Sequence, residues 1–90
     1  MTHWICRHQV EDFDRWYAVF RDDAAAQAAA GIRTKFVMRD ADDPNTVVMW
    51  FEIESEEAAL AFTETPEAAE AGEKAGVVGG MESWFLTERP

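Results

Sequence analysis

Ninety residues with eighteen acidic against eight basic side chains carry a formal charge of −10, which repels phosphate backbones and anionic membrane surfaces and argues against nucleic-acid binding. The chain is 48% hydrophobic with four Trp and six Phe, too apolar for intrinsic disorder, and no uninterrupted apolar stretch approaches the roughly 20 residues of a membrane span. Cys6 is the only cysteine, which excludes an internal disulfide, and the N-terminus shows no signal-peptide pattern, so a single-domain cytoplasmic protein is expected.

Thr2 to Val10 alternates imperfectly and predicts a first strand, with Trp4, Cys6, His8 and Val10 on one side and His3, Ile5, Arg7 and Gln9 on the other. Asp12 is placed to cap a helix over about residues 13–30. Phe13, Trp16, Tyr17 and Phe20 recur there at helical spacing, the alanine-rich stretch that follows sustains the helix, and Gly31 stands where a left-handed cap ends it. Ile32 to Arg39 predicts a second strand. Asp42, Asp43, Pro44 and Asn45 are turn formers that reverse it into a third, Thr46 to Glu54, giving a hairpin. Ser55 caps a short helix through Phe62, and Thr65 with Pro66 forms the N-cap and N1 pair of another that ends near Gly76. Gly79 and Gly80 release the chain into a last strand, Met81 to Glu88.

The order β-α-β-β-α-β is the split βαβ arrangement of a ferredoxin-like α+β fold with a four-stranded antiparallel sheet. Right-handed crossovers put both helical segments on one face of that sheet. The third strand is nevertheless apolar on both sides, with Val47, Met49, Phe51 and Ile53 on one and Val48 and Trp50 on the other. An uncovered face of that kind exceeds what a monomer normally exposes, so two sheets are expected to pack face to face in a homodimer.

The segments Arg7 to Trp16 (RHQVEDFDRW), Arg39 to Asn45 (RDADDPN), Glu52 to Phe62 and Ala75-Gly76-Val77 resemble the dimeric α/β-barrel superfamily. That superfamily includes antibiotic-biosynthesis monooxygenases, small polyketide cyclases and stress-responsive barrel proteins. The resemblance spans nearly the whole chain. It implies a homodimer and a chemistry that runs without metal or flavin, as in enzymes that oxidise anthrone-type aromatics or close polyketide rings. Two departures stand out. Many relatives carry a histidine where this chain has Phe62, and haem-degrading relatives take one from the later helical segment, where Glu64 to Gly76 has none. Glu52 falls where several relatives have a glutamate.

His8 is the leading candidate acid/base, an imidazole near the end of a strand that can face a cavity between sheet and helices; a buried structural histidine would look the same. His3 is the weaker of the two histidines. Glu52 interrupts an apolar strand, where desolvation would make it a general acid or base and pairing with Arg7, Arg33 or Arg39 would make it a structural ion pair. Tyr17 can polarise a substrate oxygen or bond a backbone carbonyl. Trp16, Phe20 and Trp50 can line an aromatic pocket or fill the core. Arg33, Lys35 and Arg39 recur with period two, which puts them on one strand face, where Arg39 could orient an enolate or they could all solvate an edge.

His3 and His8 without a CxxC or HxxxH give no metal signature, and Gly79-Gly80 precedes a strand, so no phosphate loop or nucleotide cofactor is expected. Two functions fit. One is a cofactor-independent cyclase or monooxygenase-like enzyme acting on an aromatic or polyketide-like metabolite, with His8 moving protons and Tyr17 or Glu52 polarising oxygen. The other is a non-catalytic dimeric protein that binds a small aromatic or hydrophobic molecule.

Overall fold

The computed structural model describes residues 2–89. Its elements run β1 (Thr2–Val10), α1 (Phe13–Asp22), α2 (Ala24–Ala29), β2 (Ile32–Arg39), β3 (Thr46–Ile53), α3 (Glu56–Thr63), α4 (Pro66–Ala75) and β4 (Val77–Thr87). The four strands form one antiparallel sheet in the order β2-β3-β1-β4. This is the ferredoxin-like α+β architecture, with each helical crossover divided into two pieces.

The caps lie where the sequence puts them. Asp12 accepts from the Asp14 amide at 3.2 Å, Ser55 Oγ from Ala58 at 3.2 Å and Thr65 Oγ1 from Ala68 at 3.1 Å. Each satisfies an amide that the first helical turn leaves free. Gly31 and Gly76 end α2 and α4 at φ of 76° and 77°, and a Cβ at Gly31 would come within 2.7 Å of the Glu54 carboxylate. In the acidic turn, Asp40 Oδ1 accepts from the amides of Asp42 and Asp43, and Asp43 accepts from the Asn45 amide and the Thr46 hydroxyl. Asn45 does more than serve this turn. Its side-chain oxygen accepts from the Phe13 amide at 3.2 Å and its carbonyl from Val10 at 2.9 Å, tying the hairpin to the start of α1.

Two boundaries and one strand register differ from expectation. The first helix is two helices, broken at Asp23, whose φ of −88° and ψ of 0° depart from the helical path. The last strand begins at Val77 rather than Met81, because Gly79 at φ 73° stays inside the strand as part of an irregularity. There Arg7 pairs with Glu82 but Gln9 with Val78, so β4 carries two more residues than β1 and bulges opposite His8. A second shift lies in β2, where Thr34 opposes Phe51 but Phe36 opposes Trp50. That bulge at Lys35 reverses the side-chain phase. Arg33 and Arg39 therefore lie on opposite sheet faces.

The core lies between the sheet and the helices. Trp4, Cys6 and Val10 of β1 and Val47, Met49, Phe51 and Ile53 of β3 meet Trp16, Ala59 and Ala75 from the helices, all buried. The opposite face has no helix over it. Phe36, Met38, Trp84 and Leu86 are 43–50% exposed there, and Ile5 lies between Trp50 and Trp84 in the strand register.

Candidate functional site

A cavity of about 270 Å³ opens between the helices and the helix-facing side of the sheet. Alternation along β1 aims Trp4, Cys6 and His8 at it, and the i,i+4 pair Trp16 and Phe20 reaches it from α1. Phe51, Phe62 and Met49 complete an aromatic and apolar wall. Ala68, Ala71 and Gly72 of α4 leave the space because their side chains are too small to fill it.

The polar groups are few. His8 stands edge-on to Trp16 with ring centroids 5.6 Å apart, and its Nε2 is buried without a hydrogen-bond partner. Burial pushes the imidazole pKa below its ordinary 6.5, so the ring is held neutral at neutral pH. Trp4 stacks on Phe85 at 5.7 Å and tilts against Phe51 at 5.5 Å; its indole Nε1 is also buried and unpartnered. Such orphaned groups are uncommon in native interiors, since an unpaired buried donor costs about 1–3 kcal/mol. At the junction of α1 and α2, Asp23 lines the same cavity; burial raises its carboxyl pKa and a hydrogen bond from Gln27 partly offsets that. Among the described residues no lysine or arginine lines the space.

Cys6 also lines it, but burial pushes its thiol up to about 12, far from the thiolate a nucleophile needs. A thiol reagent such as DTNB is expected to leave native Cys6 untouched at pH 8 and to react fully once urea unfolds the chain. The same shift means that stability from the protonated thiol persists below its ordinary value near 9 and is lost as the pH rises towards 12.

His8, Trp16 and Phe20 thus gather at one cavity, as the sequence suggests. The other candidates lie elsewhere. Tyr17 stacks on Phe13 at 5.6 Å with the Arg21 guanidinium 5.1 Å from its ring centroid, and does not line the cavity. Arg39 packs over Phe13 at 4.1 Å and donates to the Pro44 carbonyl, completing the turn. Glu52 and Trp50 occupy the uncovered sheet face. Glu52 pairs with Arg33, whose hydrogen bond, together with the positive charges nearby, holds the carboxyl below its usual range. It is an ion-pair partner there, on the far side of the sheet from His8. Trp50 Nε1 donates to His3 Nδ1 at 2.9 Å, and His3 Nε2 meets Glu88 at 3.0 Å; His3 is buried with both ring nitrogens occupied.

Trp4, Asp23 and Gln27 were not legible as site residues. Trp4 reads as one more core aromatic, and Asp23 lies inside what reads as an unbroken helix. Among the described residues no group of three or more His, Cys, Asp or Glu is placed to hold a metal ion, and no helix is long and apolar enough to cross a membrane.

No family model matches the sequence, and no curated protein matches it. Solved structures do. SnoaB, a cofactor-independent oxygenase from Streptomyces nogalater, superposes with a TM-score of 0.71 at 20% identity, covering 99% of this chain and 93% of its own. A Nitrosomonas europaea protein provisionally assigned as an antibiotic biosynthesis monooxygenase gives 0.68 at 14% identity over 98% of both chains. An uncharacterized NIPSNAP domain protein from Burkholderia xenovorans gives 0.69 at 13%, over 99% of this chain and 95% of its own. At these identities the likeness establishes the fold, which this chain shares with antibiotic biosynthesis monooxygenase structures.

Proposed function

We propose that the protein is a small cofactor-independent cyclase or monooxygenase-like enzyme that acts, as a homodimer, on an aromatic metabolite held between sheet and helices. The observation that carries this reading is the unpartnered His8 Nε2 at the wall of an aromatic cavity. A neutral imidazole is the form that accepts a proton, and burial keeps His8 in that form at neutral pH. In a cyclisation His8 would remove a proton next to a carbonyl, and the Trp4 indole N–H would anchor an oxygen at the far end of the substrate. In an oxygenation the deprotonated ring carbon would react with dioxygen; one oxygen atom enters the product and the other leaves as water with the two hydrogens lost from that carbon. The likeness to SnoaB, a cofactor-independent oxygenase, supports the second course. The apolar uncovered sheet face supports the homodimer.

A second reading is favoured by one observation: with Tyr17 and Glu52 away from the cavity, the acid/base groups described on its wall, beside the inert Cys6 thiol, are His8 and the partly buried Asp23 carboxyl, with no further group to polarise oxygen. The protein would then bind an aromatic ligand without transforming it. His8→Phe separates the two. In the enzyme it lowers turnover by about a hundredfold or more with the fold intact; a variant retaining full turnover would remove His8 from the mechanism. His8→Phe also tests the burial of the imidazole. Above pH 6.5 both folded and unfolded chains hold His8 neutral; below it the unfolded chain takes the proton first, so the fold loses stability as the pH falls through the folded-state pKa. The variant's melting temperature is therefore expected to fall less than the parent's between pH 7.5 and 5.

A further inference from the structure

The cavity's volume, charge and two orphaned polar atoms narrow what it can hold, and this inference rests on the proposal that the cavity is the working site. A dry apolar cavity of about 150 Å³ takes up one benzene ring, and drug-sized pockets begin near 300 Å³. At about 270 Å³ the space suits one or two fused rings and is tight for three. Trp4 and His8 lie four residues apart on one face of β1, roughly 13 Å between Cα positions at the strand rise. Their free nitrogens therefore meet different ends of a ligand rather than one oxygen. The indole N–H can only donate; the neutral imidazole Nε2 can accept.

Charge adds a filter. Among the described residues the wall offers no cationic side chain, while Asp23 contributes a partly buried carboxyl whose described neighbours include no basic partner. Buried unpaired charge is costly, and a second carboxylate beside the first is costlier still.

We propose that the cavity selects an uncharged one- or two-ring phenol, whose hydroxyl donates to His8 Nε2 and whose distal oxygen accepts from Trp4 Nε1. Carboxylated and phosphorylated aromatics are excluded. Opposite His8 the bulge in β4 borders a second, polar pocket lined by Arg7, Gln9 and Glu82.

The test is calorimetric titration of the full chain with 2,6-dihydroxynaphthalene, 6-hydroxy-2-naphthoate and a three-ring diol. The neutral two-ring diol is expected to bind at least tenfold tighter than the carboxylate and tighter than the three-ring compound. Trp4→Phe, which keeps the stacking on Phe85, and His8→Phe are each expected to weaken it about five- to tenfold. Asp23→Asn is expected to raise affinity for the carboxylate relative to the diol, a gain that no loss of folding can imitate. Equal binding of carboxylate and diol, or no binding of either, overturns the proposal. A diol bound with this selectivity but never turned over under air leaves the site as described and instead sinks the oxygenase course of the proposed function.

Discussion

Trp84→Glu is expected to turn the proposed dimer into a monomer while leaving the fold intact. Trp84 is 46% exposed in the single chain, so the substitution costs little there; exposed positions rarely exceed about 0.5 kcal/mol. In the dimer the position is different. Trp84 shares the uncovered face with Phe36, Trp50 and Leu86 and pairs across the sheet with Ile5, so packing two such faces together would bury it. A two-fold interface uses each residue twice. Two buried carboxylates without partners, at about 3–5 kcal/mol for an uncompensated charge, are enough to weaken association a thousandfold or more. Sedimentation equilibrium checks it: the parent should weigh as two chains and the variant as one, with unchanged far-ultraviolet circular dichroism. A parent that stays monomeric at high concentration removes the homodimer from the functional proposal.

Trp16→Ala is expected to cost about 3–5 kcal/mol of folding stability, the range for truncating a buried large aromatic. Trp16 is 3% exposed. Its ring stacks on Phe20 at 4.9 Å, tilts against Phe13 at 5.8 Å and receives the edge of His8 at 5.6 Å. Removing it deletes aromatic contacts to His8, Phe13, Tyr17 and Phe20 and merges the vacated volume with the existing cavity, so neighbouring side chains have little scope to relax into the gap. For a chain of this size each kcal/mol moves the melting temperature by about 4–8 °C, which makes a fall of roughly 15–30 °C the expected result. Trp16→Phe should recover more than half. A loss below about 1 kcal/mol in urea unfolding would show that α1 can collapse onto β1, and the cavity would then not be a fixed feature of the fold.

Much of the architecture is legible in local chemistry. Asp12, Ser55 and Thr65 each announce a helix start because an oxygen side chain before an apolar period has one dominant use, and the acidic turn is equally plain. The two strand misreadings share a cause: glycine and bulge chemistry depends on the strand opposite. Gly79-Gly80 looks like a loop until β1 is beside it, and Lys35 looks like one member of a period-two basic stripe until β3 forces the extra residue out. That one bulge is why Arg39 faces Phe13 while Arg33 faces Glu52. The site is less legible than the fold. His8, Trp16 and Phe20 follow from periodicity, but Glu52 could not be separated from them because a strand pattern fixes alternation and leaves open which side the helices cover. Trp4 and Asp23 carry no sequence signal of their own; the first is marked by an unmet hydrogen bond, the second by a break in a helix.

β1 contributes Trp4, Cys6 and His8 to the cavity and His3, Ile5 and Arg7 to the open face, so odd and even positions of one nine-residue strand answer to different selective demands. Point changes on either parity can accumulate without disturbing the other, which would let the proposed ligand preference and the proposed self-association drift separately in descendants of this sequence. Insertions and deletions have no such freedom. A single-residue slip would send the imidazole to the exterior and Ile5 to the interior in one step, and the β4 bulge opposite His8, which matches only the present register, acts as a lock against it.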